Sequence, residues 1–110
     1  MNILIASFIL EFSMLQESHL TAIRVVIIGK VQGVWFRNWT VSEAKKRKLD
    51  GWVRNCNDGN VEALFSGCSR LVGEMIEACY VGPPMASVAT IKKYKEEELR
   101  LGSGFSKLNN

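Results

Sequence analysis

A β-branched run, Ile23-Arg24-Val25-Val26-Ile27-Ile28, ends at Gly29, and a helical pattern takes over at Arg37. No other feature limits the chain as tightly. β-Branched side chains suit a pleated backbone, so the run reads as a buried strand. Phe36, Thr40 and Ala44 then fall on one helical face with Trp39 beside them, and Arg37–Lys48 reads as a helix. Lys30–Trp35, with Gly33 inside it, is left as a loop between strand and helix.

The rest of the order follows from the same reading. Gly51–Asn57 and Asn60–Ser66 are two short strands, joined at Asp58-Gly59, a hairpin signal because the turn needs positive φ. Val61, Ala63 and Phe65 alternate with Glu62, Leu64 and Ser66, as in a sheet with one buried face. Ser69 is placed to cap a second helix over Arg70–Tyr80, with a stripe of Leu71, Val72, Met75, Ile76, Cys79 and Tyr80. Gly82-Pro83-Pro84 stops that helix, Ser87–Tyr94 is a further strand, and Lys95–Arg100 reads as a solvated hairpin tip. Gly104–Leu108 has the length for a short last strand. Strand, helix, strand, strand, helix, strand with right-handed crossovers predicts an α+β fold. It is a ferredoxin-like split βαβ sandwich (βαββαβ), an antiparallel sheet with two helices on one face.

The 110 residues suit one domain, and a 47% hydrophobic composition supplies its core. Residues 21–110 read as that domain and residues 1–20 as an N-terminal extension, with Met14 as an alternative natural start. Ile3–Leu10 is broken by Ser7 and ended by Glu11, well short of the roughly 20 residues a spanning helix needs. No Lys or Arg precedes Arg24, so the basic region of a secretion signal is missing. A net charge of +3 suits an anionic partner but does not by itself predict nucleic acid. Lys45-Lys46-Arg47-Lys48 reads as a solvated helix end that complements the dipole. Cys56, Cys68 and Cys79 cannot all pair within one chain and lack metal-ligand spacing, so a reducing cytoplasm with free thiols is expected.

Chemistry concentrates in Gly29–Arg37. A glycine-bearing loop that runs into a helix N-terminus exposes successive backbone N–H groups, which favour an oxyanion such as phosphate. Arg37 adds a planar fork able to grip two phosphate oxygens. The alternative is a plain turn carrying a surface arginine. His19, the single histidine, precedes the first strand. Glu43, Asp50, Asp58 and Glu62 read as surface or turn carboxylates, and Cys56, beside Asn55, as a small packing residue.

Gly29-Lys30-Val31-Gln32-Gly33-Val34-Trp35-Phe36-Arg37 resembles the G-x-V-Q-G-V-x-F-R signature of acylphosphatases. Gly51-Trp52-Val53-Arg54-Asn55-Cys56-Asn57-Asp58-Gly59-Asn60-Val61-Glu62 is similar to their G-W-V-x-N-x-x-D-G-x-V-E segment, at the family's separation. Gly82-Pro83-Pro84, Ala86, Val88 and Phe105 follow the same pattern, so the resemblance covers about Ala22–Leu108. The resemblance implies metal-independent and cofactor-independent hydrolysis of a small acyl phosphate, with inorganic phosphate as product and inhibitor. Arg37 is implied as the phosphate-binding arginine and Asn55 as the group that orients the attacking water. The N–H groups of Gln32, Gly33, Val34, Trp35, Phe36 and Arg37 are implied as the anion cradle. A monomer is the default expectation, with neither nucleic-acid nor membrane partners. The tail from Phe105 is shorter and more polar than the family's closing strand. Two other readings remain: a non-catalytic anion- or RNA-binding module, and an accessory domain for a carbamoyl-phosphate-using enzyme. The RNA reading is weakened because Asn60–Ser66 carries only Phe65 where base stacking needs two aromatics and a cation.

Overall fold

A computed structural model of the chain describes residues 19–109. The expectations for the N-terminal extension up to residue 18, including the alternative start at Met14, lie outside the described residues. The elements are β1 (Leu20–Lys30), α1 (Phe36–Lys46), β2 (Asp50–Asn55), β3 (Val61–Cys68), α2 (Ser69–Val81), β4 (Ser87–Lys95) and β5 (Phe105–Lys107). The strands form one sheet in the order β4-β1-β3-β2-β5. This is the expected ferredoxin-like α+β arrangement.

The core lies between the sheet and the helices. Val25, Ile27, Val53, Val61, Ala63 and Phe65 from the strands pack with Phe36 and Ala44 of α1 and Val72, Met75, Ile76 and Cys79 of α2. The alternate residues of the strands form the opposite face. There Glu62 pairs with Arg24 at 2.9 Å and with Arg54 at 2.7 Å. Arg24 also reaches Glu96 at 2.9 Å and stacks its guanidinium 4.4 Å from the centre of the Tyr94 ring. The β1 run is therefore not buried on both sides: Val25 and Ile27 are buried, while Arg24, Val26 and Ile28 are half-buried on the helix-free face.

The expectation of a fully antiparallel sheet is corrected at one edge, where β5 runs parallel to β2 with Val53 opposite Lys107. Residues 96–104 explain why. The Glu96 N–H donates to the Ala22 carbonyl (2.9 Å), and the Arg100 N–H to the Ser66 hydroxyl (2.8 Å). The Gly102 and Gly104 N–H groups donate to the Asp50 carboxylate at 3.1 and 2.7 Å. These contacts touch the start of β1, the end of β3 and the start of β2 in turn, so the segment crosses one end of the sheet. A chain that leaves β4 and crosses that end can only re-enter in the direction of β2. Lys95–Arg100 is accordingly the first half of a crossing and not a hairpin tip.

The cap at Ser69 is corrected too. β3 continues to Cys68, so Ser69 is already helical, makes no side-chain cap, and donates its N–H to the His19 carbonyl at 2.9 Å.

Candidate active site

β1 and β2 are each antiparallel to β3, so they end at the same end of the sheet. The loop after β1, Asn55 at the end of β2 and the end of β5 therefore converge. Strand parity aims Asn55 correctly: Gly51 and Val53 are buried toward the helices, and Asn55 continues that face opposite Val61. A pocket of about 360 Å³ opens there, lined by Val31, Gly33, Trp35, Phe36, Arg37, Asn38, Asn55 and Lys107.

The loop is shaped by its own residues. Val31 and Val34 are buried in the core, which pins the loop at two points. Gly33 (φ 74°) and Trp35 (φ 68°) are left-handed, the backbone that builds concave runs of N–H groups. Glycine takes that conformation freely, whereas a residue with a Cβ is held there at a cost of about 1–2 kcal/mol. Trp35 is also the N-cap of α1, with no side-chain cap and no acidic residue in the first turn. The first-turn N–H groups have no intrahelical acceptors, so the positive end of the helix is open to an anion.

Of the sequence-predicted residues, the pocket brings together Gly33, Trp35, Phe36, Arg37 and Asn55. The side chains of Gln32 and Val34 do not line it. Gln32 instead donates through Nε2 to the carbonyls of Cys56 (2.7 Å) and Asn60 (2.8 Å). That latch ties the loop to the β2–β3 turn and so couples the position of Arg37 to that of Asn55. Arg37 Nη1 donates to the Leu108 carbonyl at 3.0 Å. The tail that provides this acceptor is itself anchored: the Leu108 N–H donates to the Val53 carbonyl at 2.8 Å, and Phe105 stacks on Phe65 with ring centres 5.6 Å apart.

Asn38 and Lys107 were missed by sequence reasoning. Asn38 directly follows Arg37 in the first helical turn, a local signal that was available. Lys107 reaches the pocket only through the parallel pairing of β5 with β2, which nothing local announces. Among the described residues the charged groups in the lining are thus two cations, Arg37 and Lys107, with no carboxylate. Glu62 is occupied by two arginines, Asp50 by the 96–104 crossing, and Glu43 by Lys46 at 2.8 Å. Asp58 accepts from the Asn60 N–H within its turn at 3.0 Å. Burial pushes the Cys56 thiol up, away from the thiolate a nucleophile needs, and Cys56 is outside the lining. Among the described residues no three metal-binding side chains converge, and no helix is long and apolar enough to cross a membrane.

A family model described as Acylphosphatase matches residues 23–107. The acylphosphatase of Sinorhizobium medicae is 47% identical over 81 residues, which cover 74% of this chain and 86% of that protein. The acylphosphatase of Trichormus variabilis is 43% identical over 95 residues, 86% of this chain and 94% of its own length. The crystal structure of acylphosphatase from Bacillus subtilis has a TM-score of 0.77 at 37% identity, covering 83% of this chain and 100% of that one. The likeness runs through both loop segments that build the pocket and extends over nearly the whole length of these relatives: the chain belongs to the acylphosphatase family.

Proposed function

We propose that the protein hydrolyses acyl phosphates, R–CO–O–PO₃²⁻, to a carboxylate and inorganic phosphate at the pocket between the β1–α1 loop and the ends of β2 and β5. The observation that carries this reading is a cation-lined pocket at an uncapped helix N-terminus, with the Asn55 carboxamide at the end of β2 in the same lining. Arg37 and the loop N–H groups from Gln32 to Arg37 hold the phosphoryl oxygens and neutralise their charge, and Lys107 adds a second positive charge. Asn55 hydrogen-bonds the attacking water and aims it at phosphorus. The P–O bond to the acyl oxygen breaks as the new P–O bond forms, and the carboxylate leaves with the electron pair.

A carboxylate is a weak base and needs no proton on departure. Phosphoryl transfer then demands chiefly positioning and charge stabilisation. An amide is not a strong base, and among the described residues the lining has no carboxylate, imidazole or thiol. One water proton therefore passes to a phosphate oxygen of the substrate, and the product is dihydrogen phosphate. The scheme uses no metal or cofactor.

The arginines of the helix-free sheet face are paired with Glu62 and Glu96, which supports a protein without a nucleic-acid partner. We read it as a cytoplasmic monomer, with the catalytic domain in residues 21–110 preceded by an extension.

The test is hydrolysis of benzoyl phosphate by the purified protein, with inorganic phosphate as a competitive inhibitor. Turnover with competitive inhibition is expected. Inertness toward benzoyl, acetyl and carbamoyl phosphate alike would overturn the proposal and leave a binding module.

A further inference from the structure

Trp35 is 74% exposed, although it lies between the buried Val34 and Phe36 and lines the anion pocket. Among the described residues it is the one exposed apolar side chain in that lining. A lone exposed aromatic is ordinary on a protein surface, so exposure alone carries nothing. Its position carries more. The flanking Val34 and Phe36 are anchored in the core and the Trp35 backbone is left-handed, so the backbone from which the indole projects is fixed at the mouth. The loop needs only the backbone N–H of this position, and a small residue would serve that purpose equally.

In-line displacement decides where the acyl group lies. The attacking water and the leaving oxygen stand on opposite sides of phosphorus. With the water on the β2 wall beside Asn55, the acyl group points away from β2, toward the loop side of the mouth. Trp35 is the apolar surface there. The α2–β4 connection packs on the start of α1, since a Cβ at Gly82 would lie 2.7 Å from Cε2 of Phe36. Val81 at the end of α2 (76%) and Met85 in that connection (66%) are two more exposed apolar side chains.

We propose that Trp35 is a specificity-determining residue that receives the acyl part of the substrate, favouring acyl phosphates with a planar apolar group over those with a small acyl group. This rests on the acyl-phosphate reading of the same pocket. The indole face stacks on the acyl group, while the anion cradle binds the phosphoryl group common to all substrates.

The experiment compares benzoyl phosphate with acetyl phosphate in the wild type, Trp35→Ala and Trp35→Phe. Alanine keeps the Cβ and hence the same left-handed backbone cost, so it removes only the indole. The ratio of kcat/KM for benzoyl phosphate to that for acetyl phosphate is expected to fall about fivefold to tenfold in Trp35→Ala, the size of one stacked aromatic contact. Trp35→Phe should retain most of the ratio, and the inhibition constant for inorganic phosphate should not follow it. An unchanged ratio would overturn the proposal. So would a parallel loss for both substrates and for phosphate inhibition, because Trp35 would then act through loop geometry. A wild type inert toward both substrates would instead sink the acyl-phosphate reading, and this inference with it.

Discussion

Arg37 stands in the first turn of α1, where a positive charge opposes the helix dipole at a cost of about 0.3–1 kcal/mol. A bound anion reverses the sign of that interaction. Arg37→Ala is therefore expected to lower kcat/KM on benzoyl phosphate by about 10²–10³, the usual loss for one oxyanion contact, without lowering the melting temperature. Arg37→Lys should fail comparably, because an ammonium lacks the planar fork that can serve the Leu108 carbonyl and a phosphate together. Asn55→Ala separates binding from turnover. Phosphate inhibition is expected to persist while most turnover is lost, and steady-state kinetics with near-full activity would remove the water-orienting role.

In α2 the expected stripe is buried at Val72, Met75, Ile76 and Cys79 but not at Tyr80, which is exposed. Burial pushes the Cys79 thiol up to about 12 from its ordinary 9.0. The folded protein thus keeps a proton that the unfolded chain gives up near 9.0, so this contribution to stability is whole below 9.0 and falls as pH rises toward about 12. Urea denaturation on either side of 9.0 should show the decline, and Cys79→Ala should flatten it. A slope that survives the substitution would assign the effect to other groups. α1 works the other way: its uncapped N-terminus forgoes a side-chain cap worth about 0.5–2 kcal/mol and keeps its first-turn N–H groups open to the pocket.

The molecule as a whole is tied together by the 96–104 crossing. Asp50 lies at the end of β2 far from the pocket, yet its carboxylate holds Gly102 and Gly104 at the approach to β5. β5 in turn carries Lys107 and leads to Leu108, which meets Arg37. Asp50→Ala removes two hydrogen bonds, each worth on the order of 1 kcal/mol. It is expected to speed amide exchange at Leu108 and to weaken phosphate inhibition, with no residue of the pocket altered. Unchanged exchange at Leu108 would show that β5 is held by Phe105 and the β2 ladder alone.

Nearest-neighbour chemistry made much of this protein readable. The β-branched run at Ile23–Ile28, the stripe from Val72 to Cys79 and the turn at Asp58-Gly59 each carry their conformation in local sterics and periodicity. So does the glycine loop that ends at Arg37. Asn55 was reached only through the resemblance of the Gly51–Glu62 segment to a known family, and the structure adds that strand parity along β2 aims it at the pocket. Contacts distant in sequence settled the remainder. The parallel direction of β5 depends on which end of the sheet residues 96–104 cross, and the Gln32 latch depends on a turn that closes 24 and 28 residues later. Lys107 joins Arg37 only after both have happened. A local pattern records the preference of a backbone for its own geometry, whereas the pairing of two distant segments is chosen by the burial and hydrogen bonding of the whole chain.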